Sequence, residues 1–207
     1  MPENKNLFYY GSIYHRLFDP PLTDNRRAAA GLIPAGSSVL DIACGTGLFS
    51  ILLREEKNCR VVGIDLSLQM LEFARKSDPH QEVTFLHKDA TDLSDFTDHS
   101  FDYATILMMV HELPRAKQLK VLGEALRVAN KVIIIDSACP LSKNLGGIGV
   151  RITEATFGHD HHQNFNDFLA GGGIGGLLKE FAPSICIEHR SVFSHNTREV
   201  VLLTKQQ

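Results

Sequence analysis

The sequence has 207 residues, 43% of them hydrophobic, which suits one domain with a self-sufficient core and a small cap. A formal net charge of -3 and a pI near 6.3 provide no basic field; this disfavours nucleic acid and anionic membrane surfaces as partners and favours small-molecule chemistry. The four cysteines, Cys44, Cys59, Cys139 and Cys186, lack a C-x-x-C spacing and no apolar run reaches bilayer length, so a cytoplasmic protein with reduced thiols and no stable membrane insertion is expected.

Leu7 to Phe18 is predicted as an N-terminal helix broken by Asp19-Pro-Pro-Leu, and Asn25 to Leu32 as a second; together they form a helical cap over 7–33. Val39 to Ile42 is a buried strand carrying an acid, Asp41. It opens into the small-residue turn Ala43 to Gly47, and a helix runs from Leu48 to about Glu56. A strand, a glycine turn and a helix N-terminus in succession let backbone N–H groups approach a nucleotide-type ligand. The second strand, Arg60 to Asp65, also ends in a carboxylate. An ionised acid there accepts from both hydroxyls of a ribose, although a strand-end helix cap is the alternative and Ser67 suits that task too. The helix Leu68 to Lys76 turns Met70, Leu71, Phe73 and Ala74 inward. Val83 to His87 is the third strand, followed by Asp89 and Ala90, where the acid can accept from an adenine amine while the next N–H donates to a ring nitrogen; an ordinary turn acid is the alternative.

Phe101 to Leu107 is the fourth strand, Pro114 starts a helix reaching about Ala129, and Lys131 to Asp136 is a fifth strand. Alternating strands and helices imply a parallel sheet whose ligands sit at the carboxyl ends of its strands. From Ser137 the rhythm changes to helices over 144–157 and 161–181, separated by Gly158-His-Asp-His-His162 and interrupted by glycine runs. This insertion, 137–182, is expected to form a lid. Strands over 184–193 and 198–205 complete the sheet as an antiparallel hairpin.

These motifs resemble those of the class I S-adenosylmethionine-dependent methyltransferases over residues 37 to 136. Asp41 to Gly47 resembles the family's acid and glycine turn, Asp65-Leu-Ser its ribose carboxylate, Asp89-Ala90 its adenine pair and Phe101 onward its fourth-strand motif. The chain is most similar to the small-molecule branch containing the ubiquinone and menaquinone C-methyltransferase-like proteins. Ala43 departs from the pattern, standing where the family usually has its first glycine. The resemblance implies an α/β fold, a single domain over 1–207 with a Rossmann-like, mostly parallel seven-stranded sheet and helices on both faces. It also implies S-adenosylmethionine as cofactor, contacted by Asp41, Ala43, Cys44, Gly45, Gly47, Asp65, Leu66, Met70, Asp89, Ala90 and Leu107, and methyl transfer to a small-molecule acceptor.

An acceptor that must lose a proton suits a neutral imidazole, and His111, with Glu112 able to orient it, is the candidate base; packing or helix capping is the alternative. Tyr10, Tyr14, His159 and His162 are candidates for the acceptor pocket. His159 to His162 with His111 and Glu112 also suggest a divalent ion, but no H-x-x-x-H spacing or distant carboxylate pair supports it and no metal is expected. Two other readings compete. A nicotinamide oxidoreductase would use the same turn and Asp65, but Ser50 occupies the third glycine position and a second substrate domain is missing. A non-catalytic S-adenosylmethionine-binding protein is the other.

Overall fold

The computed structural model describes residues 22–206, so Tyr10, Tyr14 and the first predicted helix lie outside the described residues. Helix α1 (Thr23–Gly31) leads into β1 (Ser38–Ile42), α2 (Leu48–Lys57), β2 (Arg60–Asp65), α3 (Leu68–Ser77) and β3 (Thr84–His87). Then follow β4 (Phe101–Leu107), α4 (Arg115–Val128) and β5 (Ala129–Ser137). The insertion carries α5 (Leu145–Thr156), α6 (His159–Ala170) and α7 (Gly173–Leu178), and the chain closes with β6 (Ile185–Phe193) and β7 (Arg198–Lys205).

The sheet has seven strands in the order β3-β2-β1-β4-β5-β7-β6. The first five run parallel and β7 is antiparallel to both β5 and β6. The reversal of direction of travel between β1 and β4 creates the crevice where such sheets bind ligands, outside the carboxyl ends of adjacent strands. Val39, Leu40 and Ile42 of β1 and Val132 to Ile135 of β5 are fully buried. Strands covered on both faces need this unbroken apolar run.

Two cores flank the sheet. On one face Phe49, Leu53, Leu71 and Ala74 of α2 and α3 pack with Ala29 of α1 against Val39, Val61 and Phe85. On the other, Val121, Leu122, Ala125 and Leu126 of α4 pack with Phe168, Ile174, Leu177 and Leu178 of the insertion against Leu40, Ala104 and Ile134. Burying a side chain of this size contributes about 1.5–3 kcal/mol, so the insertion is anchored by its own core residues.

The insertion differs from the sequence expectation in two respects. The stretch predicted as one helix over 161–181 is α6, α7 and a 3-10 turn at Lys179–Phe181. The break falls at Gly172 and Gly173, with φ of 87° and 62°, a left-handed conformation that glycine adopts without steric cost. Conversely, His159 to His162 are not a loop but the first turn of α6, entered through Gly158 at φ 106°.

Candidate functional site

The three acids predicted at strand tips stand on neighbouring strands. Asp41 lies on β1, Asp65 ends β2, and Asp89 follows β3, in the spatial order β3-β2-β1. Their environments differ, and so does what each can offer.

Asp41 is 2% exposed. Its carboxylate accepts from the hydroxyls of Ser50 at 2.6 Å and Thr105 at 2.9 Å. Burial pushes its pKa up to about 6 against the opposing effect of those two donors. Ser50 sits in α2 and Thr105 in β4, so Asp41 ties the helix after the turn to the next strand. Ser50, which argued against a nicotinamide fingerprint, thus has a partner that glycine could not supply.

Asp65 is half-buried and fastens the turn from the other side. One oxygen accepts from the Gly45 N–H at 2.9 Å and the other from the Ser67 N–H at 2.7 Å. Desolvation raises its pKa, opposed by those backbone donors. Each carboxylate oxygen has further lone-pair capacity for a diol. The helix-capping alternative belongs to Ser67, whose hydroxyl accepts from the Met70 N–H at 3.3 Å, while Met70 itself is buried.

Asp89 is exposed. One oxygen accepts from both the N–H and the hydroxyl of Thr91, each at 2.8 Å, which holds its pKa below the usual carboxylate range. This is an Asx-type turn that leaves the second oxygen without a hydrogen bond to protein among the described residues. Ala90 packs against the core beside it.

The turn between β1 and α2 is left-handed at three positions, Ala43 (φ 57°), Gly45 (φ 55°) and Gly47 (φ 74°). At Gly47 an added Cβ would lie 2.7 Å from Ala74 Cβ and from the Phe85 ring, so that glycine serves the packing of α2 on the sheet. At Gly45 a Cβ would meet nothing within 4 Å; its face is open. Ala43 pays for the same backbone geometry with the Cβ strain that the more usual glycine avoids. The Cys44 N–H donates to the Ile64 carbonyl at 2.9 Å, which pins the turn to β2, and burial pushes the Cys44 thiol far up. Leu66 and Leu68 are each 56% exposed beside Asp65 and offer an apolar ledge at the tip of β2. Leu107 is half-buried at the end of β4. An acceptor carboxylate, an open glycine backbone, an apolar ledge and a further acid on the next strand fit the ribose and adenine of S-adenosylmethionine.

The tips of β4 and β5 are arranged otherwise. His111 lies in a 3-10 turn, Val110–Glu112, and is 2% exposed. Its Nδ1 meets Asp136 at 2.6 Å, and its backbone N–H donates to the same carboxylate at 3.2 Å. The acid facing His111 is therefore Asp136, at the end of β5, and not Glu112. Its Nε2 stands 3.4 Å from Glu154 of α5, which also accepts from His161 of α6 at 2.6 Å. The rings of Phe165 and His161 stand edge-on to His111 at 5.6 and 5.5 Å.

Of the other histidines, His159 is exposed, and His162 Nε2 pairs with Asn166 at 3.0 Å while its Nδ1 is buried without a partner. Asp136 and Glu154 had not been singled out from the sequence. Asp136 carried a signal, being the fourth acid at the end of a strand; Glu154 carried none, since its role depends on how α5 folds back.

Residues 39–131 match the family model described as a methyltransferase domain. Among curated relatives, a demethylmenaquinone methyltransferase of Bacillus licheniformis is 32% identical over 114 residues, covering 52% of this chain and 48% of that protein. The O-methyltransferase cnsE of Penicillium expansum is 36% identical over 117 residues, covering 54% and 42%. The chain thus spans about half the length of these relatives. Among solved structures, the PH0226 protein of Pyrococcus horikoshii superposes with a TM-score of 0.71 at 22% identity, over 93% of this chain and 98% of that one. An S-adenosylmethionine-dependent methyltransferase of Aquifex aeolicus gives 0.66 at 18%, over 95% and 98%. The strand order, the glycine turn latched by Asp65 and these matches point one way: residues 39–131 match a methyltransferase domain, in a fold that the chain shares with an S-adenosylmethionine-dependent methyltransferase.

Proposed function

We propose that this chain transfers the methyl group of S-adenosylmethionine to a small-molecule acceptor, acting as a single cytoplasmic domain. The observation that carries the reading is the pairing of Asp65 with the Gly45 N–H at 2.9 Å. It holds an acid with spare acceptor capacity beside an open backbone, the arrangement a ribose diol requires.

S-adenosylmethionine supplies, when bound, a methyl group on a cationic sulfur that a nucleophile displaces in line, leaving S-adenosylhomocysteine. The protein's contribution is position and the exclusion of water. Asp65 accepts from the ribose hydroxyls. Asp89 and the Ala90 N–H read the adenine edge, and Leu66 and Leu68 cover its face. Ala43, Cys44, Gly45 and Gly47 line the methionine end, with Met70 and Leu107 as walls and Asp41 holding the turn from beneath.

In this reading His111 fastens the insertion to the sheet and does not abstract a proton from the acceptor, because Asp136 and Glu154 engage both of its ring nitrogens. The acceptor lies under the helical insertion, which acts as a lid. Demethylmenaquinone and O-methyltransferase relatives make a reduced quinone or a phenol the acceptors to try first. Labelled methyl donor incubated with the protein and each acceptor class should give a labelled product that separates from S-adenosylhomocysteine. Binding of the donor with no product from any extract fraction would mean a binding protein instead.

A further inference from the structure

We infer that His111 Nε2, His161 Nε2 and Glu154 Oε2 form a binding site for one divalent ion of the zinc class, fastening α5 and α6 to the exit of β4. This inference is independent of methyl transfer and concerns a cluster that the cofactor cradle does not use.

The three donor atoms all lie within 4.8 Å of one another. His111 Nε2 and Glu154 Oε2 are 3.4 Å apart, longer than a good N–H···O bond but close to the roughly 3.3 Å edge of a tetrahedron whose bonds are about 2.0–2.1 Å. The hydrogen bonds at Asp136 point the same way. Asp136 accepts from the backbone N–H groups of His111 at 3.2 Å and Ser137 at 2.6 Å, so it is already an acceptor, and His111 Nδ1, 2.6 Å away, donates to it.

Nδ1 being tied to Asp136, Nε2 is the ring nitrogen that faces Glu154 and His161. An ion entering between them displaces the Nε2 proton to solvent and takes the lone pair. A carboxylate that fixes the far nitrogen of a ligating histidine is the outer shell such sites use. His161 completes the set by opening its 2.6 Å contact with Glu154 and presenting the nitrogen to the ion. Two imidazoles and one carboxylate suit a borderline ion such as Zn2+, with water in the fourth position.

The geometry also explains why the chain pattern hid the site. Glu154 and His161 are seven residues apart and sit on different helices. They meet because Gly158, at φ 106°, turns α6 back along α5.

The test uses the full chain, stripped with chelator and titrated with Zn2+ alone by calorimetry. One equivalent should bind and release protons. His161→Gln and Glu154→Gln should each weaken binding at least about 100-fold, and Asp136→Asn about 10- to 100-fold. Co2+ in place of Zn2+ should give visible bands of a four-coordinate nitrogen and oxygen site, without the charge-transfer band of a thiolate. This spectrum, taken on the unmodified protein, decides the matter even if a variant fails to fold. Absence of binding, affinity unchanged in the folded variants, or a thiolate band placing the ion at a cysteine would each overturn the inference.

Discussion

The tips of β1 to β3 and the tips of β4 and β5 belong to the same sheet but are finished in opposite ways. At β2 and β3 the carboxylates of Asp65 and Asp89 take their protein hydrogen bonds from backbone and neighbouring hydroxyl groups, and keep lone pairs turned outward. At β4 and β5 the ionisable groups are closed on one another: Asp136, His111, Glu154 and His161 form a continuous chain beneath Phe165 and Phe168. The first half keeps open acceptors at its surface, as the proposed cofactor cradle requires. The second is built to hold the helical insertion in place. Proximity to the carboxyl end of a strand therefore does not by itself make a residue part of the cofactor cradle.

The largest effect that would sharpen this contrast is on the closed side. Phe165 is fully buried against His111, and Phe165→Ala should cost about 3–5 kcal/mol of stability, read as a lowered urea midpoint. A cost below about 1 kcal/mol would show that the insertion is not held by this cluster. On the open side, Asp65→Ala should weaken S-adenosylmethionine binding by about 2–4 kcal/mol, from unpaired ribose hydroxyls and a released Gly45 N–H. The fold should survive, because the residue lies at a tip and not in a core; unchanged affinity would remove Asp65 from the cradle.

Asp41 tests the ground between the two halves. Its folded pKa, about 6, lies above the ordinary carboxylate value of 3.8, so the folded state holds the proton more tightly. Stability from this group is greatest below about pH 4 and falls as pH rises through 6. Relative to Asp41→Asn, the wild-type protein should lose up to about 3 kcal/mol between pH 4 and 7, seen in chemical melts at several pH values. Parallel curves, or a difference of the opposite sign, would contradict the burial argument. The smallest effect is at the turn itself. Ala43→Gly relieves a left-handed alanine at φ 57° and should raise stability by up to about 1 kcal/mol, with cofactor affinity little changed; a loss of stability would mean that the alanine methyl is needed for packing.

The same division explains what could be read from the sequence. The seven strands, the antiparallel hairpin and the helices of the first half were legible because each follows a local period and each tip carries its own acid or glycine. Asp65 was legible as an acid at a strand tip and read as a partner for a ribose, but its bond to the Gly45 N–H, 20 residues back, was not. The partners of Asp41, Ser50 and Thr105, were not legible, since Thr105 reaches it from a strand 64 residues on. His111 was visible as a chemically able residue at a strand exit, but its surroundings were not: Asp136, Glu154 and His161 are brought to it by strand pairing and by the reversal at Gly158. The apolar pattern of the insertion announced helices, while the positive φ values at Gly172 and Gly173 decided where they end.

The most direct test of the account is a calorimetric titration of the chain with S-adenosylhomocysteine, run alongside NAD. One equivalent of S-adenosylhomocysteine binding, lost in Asp65→Ala, with no heat from NAD, is the result the strand-tip cradle predicts. Binding of NAD in its place, or no binding of S-adenosylhomocysteine to the folded protein, would contradict it.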